Sequence, residues 1–76
     1  MTLRHARLIA SHPDGSQIFE SFASDVGLLP GYWPPTLTID GAQWSRDQIY
    51  RGRDREVTQV CYLRSDHRAM LMLAND

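Results

Sequence analysis

The 76-residue sequence predicts an α+β fold: one helix over about residues 16–26 against a mostly antiparallel sheet of four to five strands. Three observations lead there. A helical apolar stripe runs through SQIFESFASDVG, an Asp40-Gly41 turn is flanked by matched alternating segments, and two apolar runs at 57–63 and 68–74 enclose a polar turn. An all-β small barrel is the alternative, reached if the segment after Pro13-Asp14-Gly15 is the return strand of a hairpin.

Each element has its own signal. In LRHARLIAS (3–11), Ala6, Leu8 and Ala10 alternate as in a strand, and Pro13-Asp14-Gly15 ends the run with turn chemistry. At 100° per residue, Ile18, Phe19, Phe22, Ala23 and Val26 share one arc, whereas strand alternation puts Glu20 and Ser24 beside Ile18 and Phe22. Asp14 with Gln17 fits an N-cap, and Gly27 with Leu28 fits a C-terminal cap. LLPGYWPP (28–35), with three prolines, is an extended connection.

Asp40-Gly41 suits a two-residue hairpin turn, because both central positions need positive φ. The turn pairs Ile39 with Ala42, Thr38 with Gln43, Leu37 with Trp44 and Thr36 with Ser45. Leu37, Ile39, Ala42 and Trp44 then share one face, which assigns Trp44 to the core. A short strand follows at Gln48 to Arg51. Around Ser65-Asp66, pairing Leu63 with Arg68 sets Cys61 opposite Met70 and Val60 opposite Leu71. One face of this hairpin holds Val60, Tyr62, Ala69, Leu71 and Leu73. The other holds Val57, Cys61, Leu63, Met70 and Met72, interrupted by Gln59 and Arg68.

A chain of this length suits a single domain over 1–76 and buries only roughly 60 % of its unfolded surface, so small domains often need a supplement. Cys61 is the only cysteine, which excludes an internal disulfide, and Cys61, His5, His12 and His67 lack zinc-ligand spacing. Self-association is therefore the expected supplement, and no cofactor or metal is expected. No apolar stretch reaches secretory or membrane-spanning length, so a cytoplasmic protein without a membrane partner is expected.

The net charge of −1 argues against bulk electrostatic coating of nucleic acid, although all eight basic residues are arginine. Arg46, Arg51, Arg53 and Arg55 outnumber Asp47 and Asp54 around Tyr50, a pattern that could stack and hold a single strand. No RNP, KH or helix-turn-helix signature accompanies it. Ser65-Asp66-His67 holds triad residue types, but as sequence neighbours they read as a polar turn. Cys61, mid-strand among apolar neighbours, reads as a buried, inert thiol. His5 and His12 are of a type that titrates near neutrality, with nothing placing them at an interface.

The sequence thus predicts a non-enzymatic protein-interaction module. Its partner is a second copy, forming a homodimer, or another protein, met by the second apolar face of the 57–74 hairpin. Tyr32, Trp33, Val57, Cys61, Met70 and Met72 are the expected partner-binding residues. The alternative is a nucleic-acid-binding accessory protein using Arg46, Tyr50, Arg51, Arg53 and Arg55.

Overall fold

The three turn signals of the sequence, at Pro13-Asp14-Gly15, Asp40-Gly41 and Ser65-Asp66, all become turns within one β-sheet. A computed structural model describes residues 5–75. Its strands are β1 (Arg7–Ser11), β2 (Gln17–Phe22), β3 (Thr36–Ile39), β4 (Ala42–Arg51), β5 (Val57–Arg64) and β6 (Ala69–Ala74). They lie in the order β1-β2-β6-β5-β4-β3, with β2 parallel to β6 and every other pair antiparallel.

This architecture corrects the expected α+β fold. Residues 17–22 form β2, and the only helical piece among the described residues is a 3-10 turn, Ala23–Val26. The Asp14 carboxylate accepts from the Ser16 amide (2.9 Å) and hydroxyl (2.7 Å), and Gly15 sits at φ +93°, so the chain reverses into a hairpin. β2 then bonds on both edges, to β1 and β6, and that pairing overrides a helical pattern only twelve residues long. The apolar arc survives in another form. Phe19 packs on the core from β2, Ala23 and Val26 from the 3-10 turn, while Ile18 and Phe22 face the other side. Gly27 does cap a helical turn in left-handed conformation (φ +78°), though a turn of four residues.

The all-β alternative holds in its strands and in its hairpin after Pro13-Asp14-Gly15, but not in its closure into a barrel. β1 and β3 are the two edges of the sheet and do not pair with each other, so it stays open. The 3–11 strand begins at Arg7, and its predicted start at Leu3 lies outside the described residues. The strand predicted at Gln48 to Arg51 is the second half of β4.

The Asp40-Gly41 hairpin has the predicted register at all four pairs, with φ of +52° and +80° at the turn. Trp44 is 1 % exposed. The β5–β6 register differs by two residues: Leu63 pairs with Met70, Cys61 with Met72 and Val60 with Leu73. A slip of two preserves which face each side chain takes, so the two faces read from sequence stand over 59–73. The longer loop arises because the His67 amide donates to the Arg64 carbonyl (2.8 Å), closing a tighter turn inside it.

β2 is second from one edge and β3 forms the other, so residues 23–35 must cross the sheet. They do so over one face only. Ala23, Val26 and Leu28 join Leu37, Ile39, Trp44, Val60, Tyr62, Ala69, Leu71 and Leu73 in a single core. Two bonds fasten the crossing: the Tyr62 hydroxyl donates to the Pro34 carbonyl (2.7 Å), and the Arg46 amide to the Pro35 carbonyl (2.9 Å). Each large side chain buried there contributes roughly 1.5–3 kcal/mol. The shortest dimension of the molecule, 20 Å, accommodates the sheet and this one covering layer, given layer spacings of about 10 Å.

Candidate functional site

The opposite face of the sheet, here the outer face, carries no covering layer from the described residues. Register and alternation place Ile18 and Phe22 of β2, Met70, Met72 and Ala74 of β6, and Cys61 and Leu63 of β5 on it. These three strands are the middle of the sheet on that side. Around them stand polar groups: Arg7 and Glu20 towards β1, Gln59 within β5, and Gln43, Ser45, Thr36 and Thr38 on β4 and β3. Phe22 is 52 % exposed, and Ile18, Leu63, Met70, Met72 and Ala74 are partly exposed. The result is an apolar centre inside a polar rim.

Cys61 lies on this face but is fully buried, outside the main core cluster. β4 bulges beside it, since Arg46 pairs with Tyr62 and Ile49 with Val60, leaving Asp47 and Gln48 opposite Cys61. Burial, and then the charge of Asp47, push the Cys61 thiol up to about 11. It is a neutral, unreactive thiol at physiological pH.

The predicted partner-binding residues therefore separate. Met70, Met72 and Cys61 come together on the outer face. Val57 does not: a second bulge, with Gln59 opposite Tyr50 but Val57 opposite Arg51, turns Val57 against the core. Trp33 is partly buried and packs on the core, so it belongs to the crossing layer. Tyr32 next to it is 58 % exposed, but on the crossing segment, away from the outer face. Leu63, Ile18 and Phe22 complete the patch. Leu63 was legible from the hairpin, whereas Ile18 and Phe22 reach it only because β2 is a strand and pairs in parallel with β6.

The arginine segment separates too. Arg46 shares the core face with Tyr62, and its guanidinium donates to the Trp33 carbonyl, so it fastens the crossing segment. Arg51 donates from Nη1 to the Arg55 carbonyl (3.0 Å) within the β4–β5 turn, where Arg55 takes φ +65°. Arg53 and Tyr50 are exposed at that end of the hairpin. Arg46 thus lies apart from Arg51, Arg53, Arg55 and Tyr50, which share the β4–β5 end of the hairpin.

Two concavities border the outer face. The larger, about 400 Å³, lies at the carboxyl ends of β2 and β6 between His5, Arg7, Glu20, Phe22, Asp25 and Gln59. Both of its carboxylates already have partners: Glu20 pairs with Arg7, and Asp25 accepts from the Ser21 hydroxyl (2.9 Å). The smaller, about 140 Å³, lies at the other end, where the β1–β2 and β5–β6 turns meet. Ser65-Asp66-His67 is a turn in the structure, with Asp66 accepting from Arg64 Nε (2.9 Å) and the Arg68 amide (2.9 Å). These bonds hold the Asp66 carboxyl below the usual carboxylate range. Among the described residues, no group of three or more His, Cys, Asp or Glu is arranged to hold a metal ion, and no helix is long and apolar enough to cross a membrane. In comparisons with known proteins, no protein family, curated protein or solved structure matches this chain.

Proposed function

We propose that this chain is a non-enzymatic interaction module that self-associates through the outer face of its sheet. One observation carries the reading: Ile18, Phe22, Leu63, Met70 and Met72 form an apolar centre inside a polar rim, uncovered by the described chain, as in protein–protein interfaces. A second copy is the partner of matching shape, because two sheet faces stack at about 10 Å with aligned strands, and a two-fold axis repeats the same patch on both sides. Six strands about 4.8 Å apart, with about 3.3 Å per residue along each, give a face of roughly 500 Å² in projection. Even with corrugation that lies at the low end of the roughly 800 Å² per partner of a standard interface, so the dimer is weak and dissociable.

Sedimentation velocity over a wide concentration range tests this. The expected result is a reversible monomer–dimer equilibrium with a dissociation constant on the order of micromolar. Met72→Lys should abolish it while the monomer stays folded, because Met72 pairs with Glu20 and a lysine there finds an opposite charge on the neighbouring strand. A strictly monomeric wild type at every concentration overturns the proposal. So does a Met72→Lys variant that dimerises as the wild type does.

A further inference from the structure

The smaller cavity differs from the larger in its chemistry. Its polar lining comes from His12, Ser16, Gln17, His67 and Arg68, and its apolar wall includes Ile18, Leu63 and Met70. No carboxylate lines it, in a chain whose net charge is −1. Three side chains able to carry positive charge converge there because β2 and β6 run parallel. That pairing sets the β1–β2 turn beside the β5–β6 turn, and the Gln17 amide donates to the Arg68 carbonyl (3.0 Å). The Arg68 guanidinium is seated over Gly15, where any Cβ would stand 2.6 Å from Nη2, and it donates to the Asp14 carbonyl. It is thus anchored through a neutral backbone oxygen and keeps its charge uncompensated by a direct carboxylate bond.

Two aspartates stand near, and their charges couple to those of the site, Asp14 to Arg68 and His12, and Asp66 to Arg68. Asp14 accepts from Ser16, and Asp66 from Arg64 and the Arg68 amide. They moderate the positive potential without occupying the cavity. His67 adopts φ +61°, a left-handed conformation that fixes where its imidazole leaves the turn.

We propose that this cavity binds a small organic oxyanion, its charged head among His12, His67 and Arg68 and its apolar part on Ile18, Leu63 and Met70. The guanidinium supplies fixed donors for an oxyanion, and each imidazole adds a donor and a charge when protonated. About 140 Å³ takes a head group and a short chain. The site shares Ile18, Leu63 and Met70 with the proposed self-association face, so a second copy would compete with the ligand, and it is tested at concentrations where the chain is monomeric.

The probes are methyl sulfate and n-butyl sulfate, which share one head and one charge across the working pH range. NMR titration should give saturable shifts of the His12 and His67 imidazole C–H signals, with His5, in the other cavity, unmoved. Butyl sulfate should bind about tenfold more tightly than methyl sulfate, since its extra methylenes reach the apolar wall. Arg68→Gln should weaken binding about tenfold. Because Arg68 also joins two turns, His12→Gln with His67→Asn is the second variant, asparagine being tolerant of positive φ. It should likewise weaken binding about tenfold, read on the Ile18 and Met70 amide signals. Unchanged Thr38 and Gln43 amide shifts in the distant β3–β4 hairpin report that each variant folds. Shifts that never saturate, that include His5 equally, or that persist at equal affinity in both folded variants overturn the proposal.

Discussion

Met70 and Leu71 are neighbours on one strand, similar in size and hydrophobicity, yet their surroundings differ completely. Leu71 has no exposed surface and sits among Val60, Tyr62 and Leu73, each equally buried. Met70 is partly exposed between Ile18 and Leu63. The difference comes from topology. A sheet ordered β1-β2-β6-β5-β4-β3 has one long connection, and it crosses one face. Hydrophobicity alone does not decide burial in a chain this short; the path of the crossing segment does.

Truncation on the core face has the largest expected effect. Leu71→Ala should cost about 3–4 kcal/mol, transfer and cavity terms together, in a domain whose whole stability is on the order of 5 kcal/mol. Urea denaturation followed by tryptophan fluorescence should show the midpoint fall sharply, with much of the variant unfolded before denaturant is added. A loss under about 1 kcal/mol would mean that the crossing layer does not hold the core as described.

Cys61 gives the next effect and reports from the other side of the sheet. Its folded-state value is raised to about 11 from an ordinary 9.0, so the folded chain keeps its proton where the unfolded chain loses it. The stabilising contribution is therefore complete below about pH 9 and disappears as pH rises through about 11, amounting to roughly 2–3 kcal/mol. Burial raises Tyr62 as well, which acts in the same direction. Cys61→Ala should flatten the alkaline part of the stability profile, measured by urea midpoints from neutral to alkaline pH. A profile with the same alkaline fall in the variant would remove Cys61 from that role.

Much of this was readable in the residues, and what was not has a physical cause. The Asp40-Gly41 register is local, two residues of turn chemistry and eight of alternation, and it holds at every pair. The two apolar faces of the 57–74 hairpin were legible for the same reason, although the register was not, because a four-residue loop admits two alignments of equal parity. β2 reads as a helix because its apolar arc fits one, whereas the pairing that makes it a strand comes from β6, some fifty residues away. Bulges are likewise invisible in alternation, so alternation alone puts Val57 on the wrong face. The His12, His67 and Arg68 cluster depends wholly on that parallel pairing and carries no local signal beyond two polar turns.

The smallest effect separates an open face from one covered by a second copy. In the monomer Met70→Ala removes a side chain that solvent already reaches, and the cost should be under about 1 kcal/mol, well below that of its neighbour Leu71. If the outer face binds a second copy, dimerisation adds stability by mass action, and the wild type becomes harder to unfold as concentration rises. Met70→Ala loses part of that gain, so the gap between the two proteins should widen at high concentration and narrow at low. Leu71→Ala folds into neither state well, and its deficit should stay large throughout. Paired urea curves for the two variants at low and high protein concentration read both quantities together. A Met70→Ala deficit independent of concentration would leave the outer face exposed and without a second copy, whereas a widening one would make it the counterpart of the core face, covered by another chain.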